Sequence, residues 1–150
     1  MKEISFKKIL VAVSLTEITY KAIPYEKYIL QKFDCETHLL FVARIGRDDL
    51  LNTPGEAMKI KREVQENAEK KLNEHAQEYF KNEDVITCVK VGDPADEIID
   101  YINNEKIDFV LMGTHGRRGI KKTFLGSVAE DVIKRSPAPV VIINPFRVKS

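Results

Sequence analysis

The sequence has little of what sequence-recognisable chemistry usually needs. It holds two cysteines and three histidines, a thin supply of zinc-binding residue types. Cys35 and Cys88 stand far apart, with no C-x-x-C pair or histidine cluster beside them. That pattern predicts reduced, buried small hydrophobes of an intracellular protein and gives no metal site. His38, His75 and His115 are just as scattered. Charge of one sign is missing too: 31% of the residues are charged, yet they balance to a formal net charge of +1. No global field draws such a chain onto nucleic acid or an anionic membrane. The first apolar run, Ile9 to Val13, is far shorter than a signal-peptide core or a membrane span, so the expected location is the cytoplasm. There is no G-x4-G-K-[ST] and no G-x-G-x-x-G, which excludes a Walker-type loop and the dinucleotide fingerprint. Internal repeats and low-complexity linkers are also missing.

What remains is a domain-sized chain of 150 residues, 43% of them hydrophobic, enough for a single domain over 1–150 with one core. Short continuous apolar runs alternate with longer stretches at helical spacing, the signature of a parallel sheet covered on both faces. The predicted strands are Ile9 to Val13, Thr37 to Val42, Val85 to Val91, Phe109 to Met112 and Val140 to Ile143, most of them rich in Val, Ile and Leu. Between the first two, Ala22, Tyr25, Ile29, Leu30 and Phe33 predict a helix with one apolar face, and Pro24 marks a kink or an early turn. Glu56 to Lys81 is the longest predicted helix, with Ala57, Ile60, Val64, Ala68, Leu72, Ala76 and Tyr79 inward and a solvated Lys/Glu face outward. Gly92-Asp93-Pro94 is a turn, a capping carboxylate and a first-position proline, followed by a buried face of Ala95, Ile98, Ile99 and Ile102. A last helix runs from Ser127 to Arg135 with Val128, Val132 and Ile133 inward, stopped by Ser136-Pro137-Ala138-Pro139. Arg44 to Gly55 reads as a polar loop long enough to form a lid.

Strand and helix alternating with right-handed crossovers give an α/β, doubly wound open sheet. Such sheets bind ligands beyond the carboxyl ends of their strands, where the strand order reverses. The informative residues are therefore Ser14-Leu15-Thr16-Glu17 after the first strand and the segment that begins at Gly113.

That segment reads Gly113-Thr114-His115-Gly116-Arg117-Arg118-Gly119-Ile120-Lys121-Lys122-Thr123-Phe124-Leu125-Gly126-Ser127, or G-x2-G-x9-G-S. Glycines at 113 and 116 permit backbone conformations closed to other residues and a close approach of ligand to main chain. Gly126 and Ser127 open a helix whose free N–H groups and dipole attract phosphate oxygens. The Ser127 hydroxyl can cap that helix, or bind a phosphate or its Mg²⁺. Arg117, Arg118, Lys121 and Lys122 add positive charge. Each glycine alone is explained by a tight turn, but the combination at the switch point favours a phosphate site.

On these residues the chain resembles the universal stress protein family, whose nucleotide-binding members carry G-x2-G-x9-G-[ST] at this place. The resemblance runs from Lys8-Ile9-Leu10-Val11-Ala12-Val13 to Val140-Val141-Ile142-Ile143. It implies a five-stranded parallel sheet in the order 3-2-1-4-5, of the adenine nucleotide α-hydrolase-like kind, with ATP or AMP held between strands one and four and Mg²⁺ accompanying ATP. It also implies a homodimer through the last strand and a regulatory protein partner. The implied nucleotide contacts are Ala12, Val13 and Ser14 at the first strand, Val42 at the second, Met112, Gly113, His115, Gly116 and Arg117 after the fourth, and Gly126, Ser127, Val128 and Ala129 at the last helix. One position departs from the family pattern. Nucleotide-binding members carry V-D-x-S at the end of strand one, whereas this chain has Val13-Ser14-Leu15-Thr16. Ser14 lacks the carboxylate's charge and second acceptor oxygen, a loss of about 1.5–3 kcal/mol for one charge-assisted hydrogen bond.

No water-activating base stands beside the motif. His115 can touch a phosphate or simply be exposed. Asp93 is explained as a helix cap, and Asp108 falls at the end of the sheet opposite the proposed site. Met58 and Met112 read as core or pocket lining. Three functions follow: a nucleotide-binding regulator, an interaction module of the same fold that has lost nucleotide, and a slow ATPase or phosphotransferase.

Overall fold

The computed structural model describes residues 1–51, 53–114 and 125–149, with the backbone alone at 17, 18 and 50. Its strands are β1 (Lys8–Ala12), β2 (Glu36–Ala43), β3 (Val85–Val91), β4 (Phe109–Gly113) and β5 (Val140–Ile143), and its helices are α1 (Ile23–Leu30), α2 (Pro54–Tyr79), α3 (Pro94–Glu105) and α4 (Ser127–Arg135). The strands form one sheet in the order β3-β2-β1-β4-β5, and every pairing is parallel. The order and the sheet type are those the resemblance implies.

Alternation along β1 divides the core. Leu10 faces the layer of α3 and α4, packed with Leu40, Val110, Met112, Ile98, Ile102 and Val132. Its neighbours Ile9 and Val11 face α1 and α2, packed with Leu39, Leu111, Ile23, Leu72 and Phe80. A strand period of two puts successive side chains on opposite faces, and a strand buried on both faces must be apolar at each position, as Ile9, Leu10 and Val11 are.

Local signals fix the helix starts. Thr53 and Glu56 form a reciprocal capping box ahead of Pro54 on α2, and the Asp93 carboxylate accepts from Asp96 N at 3.1 Å on α3. Each satisfies amides that have no intrahelical partner. At the other end of the sheet the Asp108 carboxylate accepts from Lys7 N at 2.8 Å and Lys8 N at 3.0 Å. That aspartate therefore ties the entry of β1 to β4, away from the strand ends where ligands bind.

Several expectations need correction. β1 stops at Ala12, one residue early, while β2 extends a residue further at each end. The chain enters α1 through a 3-10 turn over Glu17–Lys21, and Pro24 sits in the helix's first turn, where its missing N–H is harmless. Tyr25 and Phe33 are exposed at the rim while Glu26 is buried. The shorter helix turns a different stripe to the sheet. Ile133 is also exposed, because α4 packs through Ala129 and Val132. The polar stretch after β2 is partly helical, with a 3-10 turn at Asp48–Leu51 and α2 beginning at Pro54. Both cysteines are only half-buried.

Candidate functional site

The order of the strands reverses between β1 and β4, since β1 leads by way of α1 to β2 on one side and β4 lies on the other. A cleft of about 730 Å³ opens there, within the range of small-molecule sites. Its floor is the ends of β1, β2 and β4: Ala12, Val13, Ser14, Val42, Met112 and Gly113. Its far wall is the start of α4: Gly126, Ser127, Val128 and Ala129. Every nucleotide contact implied by the resemblance that falls among the described residues is in this one cleft. His115, Gly116 and Arg117, with Arg118, Lys121 and Lys122, lie outside the described residues.

The start of α4 differs from expectation in one respect. Gly126, not Ser127, is the cap residue, with φ 93° and ψ 142° and no side-chain cap hydrogen bond. A side chain is strained at that φ. The first-turn amides of a helix have no intrahelical partner and attract an acceptor, and the residues of this first turn line the cleft. Gly113 is different. Among the described glycines Gly126 alone has a positive φ, and a Cβ built on Gly113 meets the Ile143 carbonyl at an ordinary 3.6 Å. Its backbone is thus open to other residues, and the expectation of a glycine-only conformation at 113 does not hold. Thr114, next in the chain, donates its N–H to Ile143 O at 3.0 Å and buries its hydroxyl with no hydrogen-bond partner among the described residues.

At the end of β1, Val13 N donates to Leu40 O at 2.8 Å, which fixes the strand end beside β2. The hydroxyls of Ser14 and Thr16 are 3.4 Å apart, and Thr19 Oγ1 donates to Ser14 O at 2.6 Å. The turn after β1 is thereby closed over its own carbonyls, and Ser14 lines the cleft.

Sequence reasoning missed Arg44, Phe41, Pro94 and Ile98, which also line the cleft. Ile98 was legible as a buried position of α3, but its place beside the ligand space depends on how α3 crosses the sheet. Arg44 follows β2 in a polar stretch and carried no motif. A second cavity, of about 10 Å³, lies against the same strand ends and is lined by Glu26, His75 and Thr19 together with Ala12, Val13 and Gly113. Burial pushes the Glu26 carboxyl up to about 7, and burial lowers His75 despite the neighbouring Glu78 charge.

Comparison with known proteins agrees with the fold. The universal stress protein family model matches residues 5–144. Universal stress protein MJ0531 of Methanocaldococcus jannaschii is 29% identical over 144 residues, covering 93% of this chain and 82% of that protein. Among solved structures, MJ0577, a universal stress protein of the same organism, superposes with a TM-score of 0.79 at 28% identity, covering 98% of this chain and all of that one. A universal stress protein family member from Arabidopsis thaliana, solved with AMP bound, has the same fold at a TM-score of 0.55 and 22% identity, covering 92% of this chain and 91% of that one. With the family model running from ahead of β1 to just beyond β5, on a sheet of the same order, the chain belongs to the universal stress protein family.

Proposed function

We propose that the protein binds ATP or a related adenine nucleotide such as AMP in the cleft at the ends of β1, β2 and β4, and acts in the cytoplasm as a dimeric regulator. The observation that carries this reading is the convergence of Ser14, Val42, Gly113, Gly126 and Ser127 on one cleft beside the amides of α4. Phosphate oxygens accept from the first turn of α4, the ribose lies over the end of β1, and the base rests on the apolar ends of β2 and β4. The AMP seen in the Arabidopsis relative supports the ligand class. When ATP is the ligand, Mg²⁺ accompanies its phosphates. Among the described residues β5 pairs with β4 alone, which leaves an outer edge a second copy can use. Occupancy stabilises the ligand-bound arrangement of the cleft and changes the surface read by a protein partner.

Isothermal titration with ATP, ADP and AMP at millimolar ligand tests the reading. Saturable heat for at least one is expected, and silence for all three in folded protein overturns it.

A second reading has one observation in its favour. No carboxylate lines the cleft among the described residues, which fits an interaction module that keeps the fold without nucleotide. Binding created by Ser14→Asp, where the natural protein shows none, would establish it.

A further inference from the structure

The cleft is electrostatically one-sided. Of the described side chains lining it, Arg44 alone carries a charge. Arg44 follows directly on β2, is exposed, and appears in no ion pair or hydrogen bond among the described residues. Since β2 and β4 flank β1, the two strands lie roughly 10 Å apart, twice the strand spacing. Arg44 and the start of α4 therefore stand on opposite sides of the end of β1. A mononucleotide whose phosphate meets α4 crosses β1 with its ribose and brings its base to β2 and Arg44.

A guanidinium offers N–H donors in a rigid planar fork and accepts nothing. The N7/C6 edge of adenine presents one acceptor, N7, beside an amine that is itself a donor. A 6-oxopurine presents two acceptors there, O6 and N7, at the spacing of the fork. No described carboxylate in the cleft competes for the guanidinium or repels the O6 oxygen.

We propose that Arg44 reads the base and opens the cleft to 6-oxopurine nucleotides, GMP and IMP, alongside adenine nucleotides. The proposal rests on the nucleotide reading of the cleft and names a ligand class and a specificity residue within it. The fork matters as much as the charge, so lysine is no substitute.

The test is calorimetric titration of the full chain with AMP, GMP and IMP, in the natural protein and in Arg44→Ala and Arg44→Lys. GMP and IMP are expected to bind at least as tightly as AMP. Arg44→Ala should weaken both tenfold or more while moving AMP by less than threefold. Arg44→Lys should lose the 6-oxopurine advantage although the charge is retained. Weaker binding of GMP than AMP by the natural protein overturns the proposal, and so does an equal loss for all three ligands on Arg44→Ala. In either case the nucleotide reading itself stands. If none of the three binds to natural protein shown to be folded, the proposal falls, and the nucleotide reading falls with it only when ATP and ADP are silent too.

Discussion

His38 Nδ1 and the Tyr101 hydroxyl lie 2.6 Å apart, a buried hydrogen bond that joins β2 to α3. The other ring nitrogen, Nε2, donates to Glu36 Oε1 at 2.6 Å, so both polar atoms of a ring only 3% exposed are satisfied. The network answers what a histidine is doing in a buried strand: it holds a helix to the sheet. Burial and the nearby Cys88, Glu105 and Glu36 push the Tyr101 phenol well above its ordinary range, so it remains a neutral phenol.

Tyr101→Phe should therefore lower stability without touching the cleft. One nitrogen of His38 loses its partner inside the core, a cost of about 1–3 kcal/mol. The midpoint of urea unfolding should fall with an unchanged slope, and nucleotide affinity should stay within twofold.

Glu26 predicts a pH dependence with a definite sign. Its folded value of about 7 lies above the ordinary 4.5, so between those two values the folded state holds the proton more tightly than the unfolded chain. The stabilisation from this group is complete below about pH 4.5 and is lost as pH rises through 7, a change of about 3 kcal/mol. His75, in the same small cavity, acts oppositely, because its lowered folded value means stability is lost as pH falls below its ordinary 6.5. Glu26→Gln isolates the carboxyl: it should stabilise the protein at pH 8 and be close to neutral at pH 4. Equal effects at both pH values, measured by denaturant unfolding, would show that Glu26 does not titrate in this range.

Gly126→Val should damage both fold and site. At φ 93° a β-branched residue is strained by about 1–3 kcal/mol, and its bulk stands where the proposed nucleotide would bring a phosphate to α4. A lowered melting temperature together with abolished nucleotide binding is expected. Gly113→Ala is the contrast, since its Cβ has room, and melting should shift little.

Ser14→Asp introduces a carboxylate at the end of β1. If a nucleoside donor group lies there, affinity should rise by one to two decades, the equivalent of about 1.5–3 kcal/mol. An unchanged or weaker affinity for AMP would mean that no such donor reaches this position. Direct titration decides between the two.

Much of the architecture was legible because it follows from local rules. β3 and β5 were bounded correctly by their apolar runs, α3 by Gly92-Asp93-Pro94, and α4 by Ser127 at one end and the Ser136-Pro137 stop at the other. α1 was less legible. Its stripe of Tyr25, Ile29 and Phe33 reads as a buried face by spacing, but a helix that ends at Leu30 leaves Tyr25 and Phe33 at the rim and turns Glu26 inward. Hydropathy periodicity cannot anticipate a buried carboxylate, since the pattern scores it as polar.

The sequence alone determined the strand and helix succession and the glycine motif at the switch point, because strand period, capping and backbone freedom are properties of neighbouring residues. It also carried the absence of an acid at Ser14. Tertiary structure decided the rest: that Gly126 rather than Ser127 caps α4, that Gly113 needs no special backbone conformation, that Glu26 and His75 share a cavity, and that Arg44 is the charged residue among the described lining of the cleft. Each of these depends on where β1, β2, β4 and α4 end relative to one another in space. That is set by the register of a parallel sheet whose paired strands are distant in sequence.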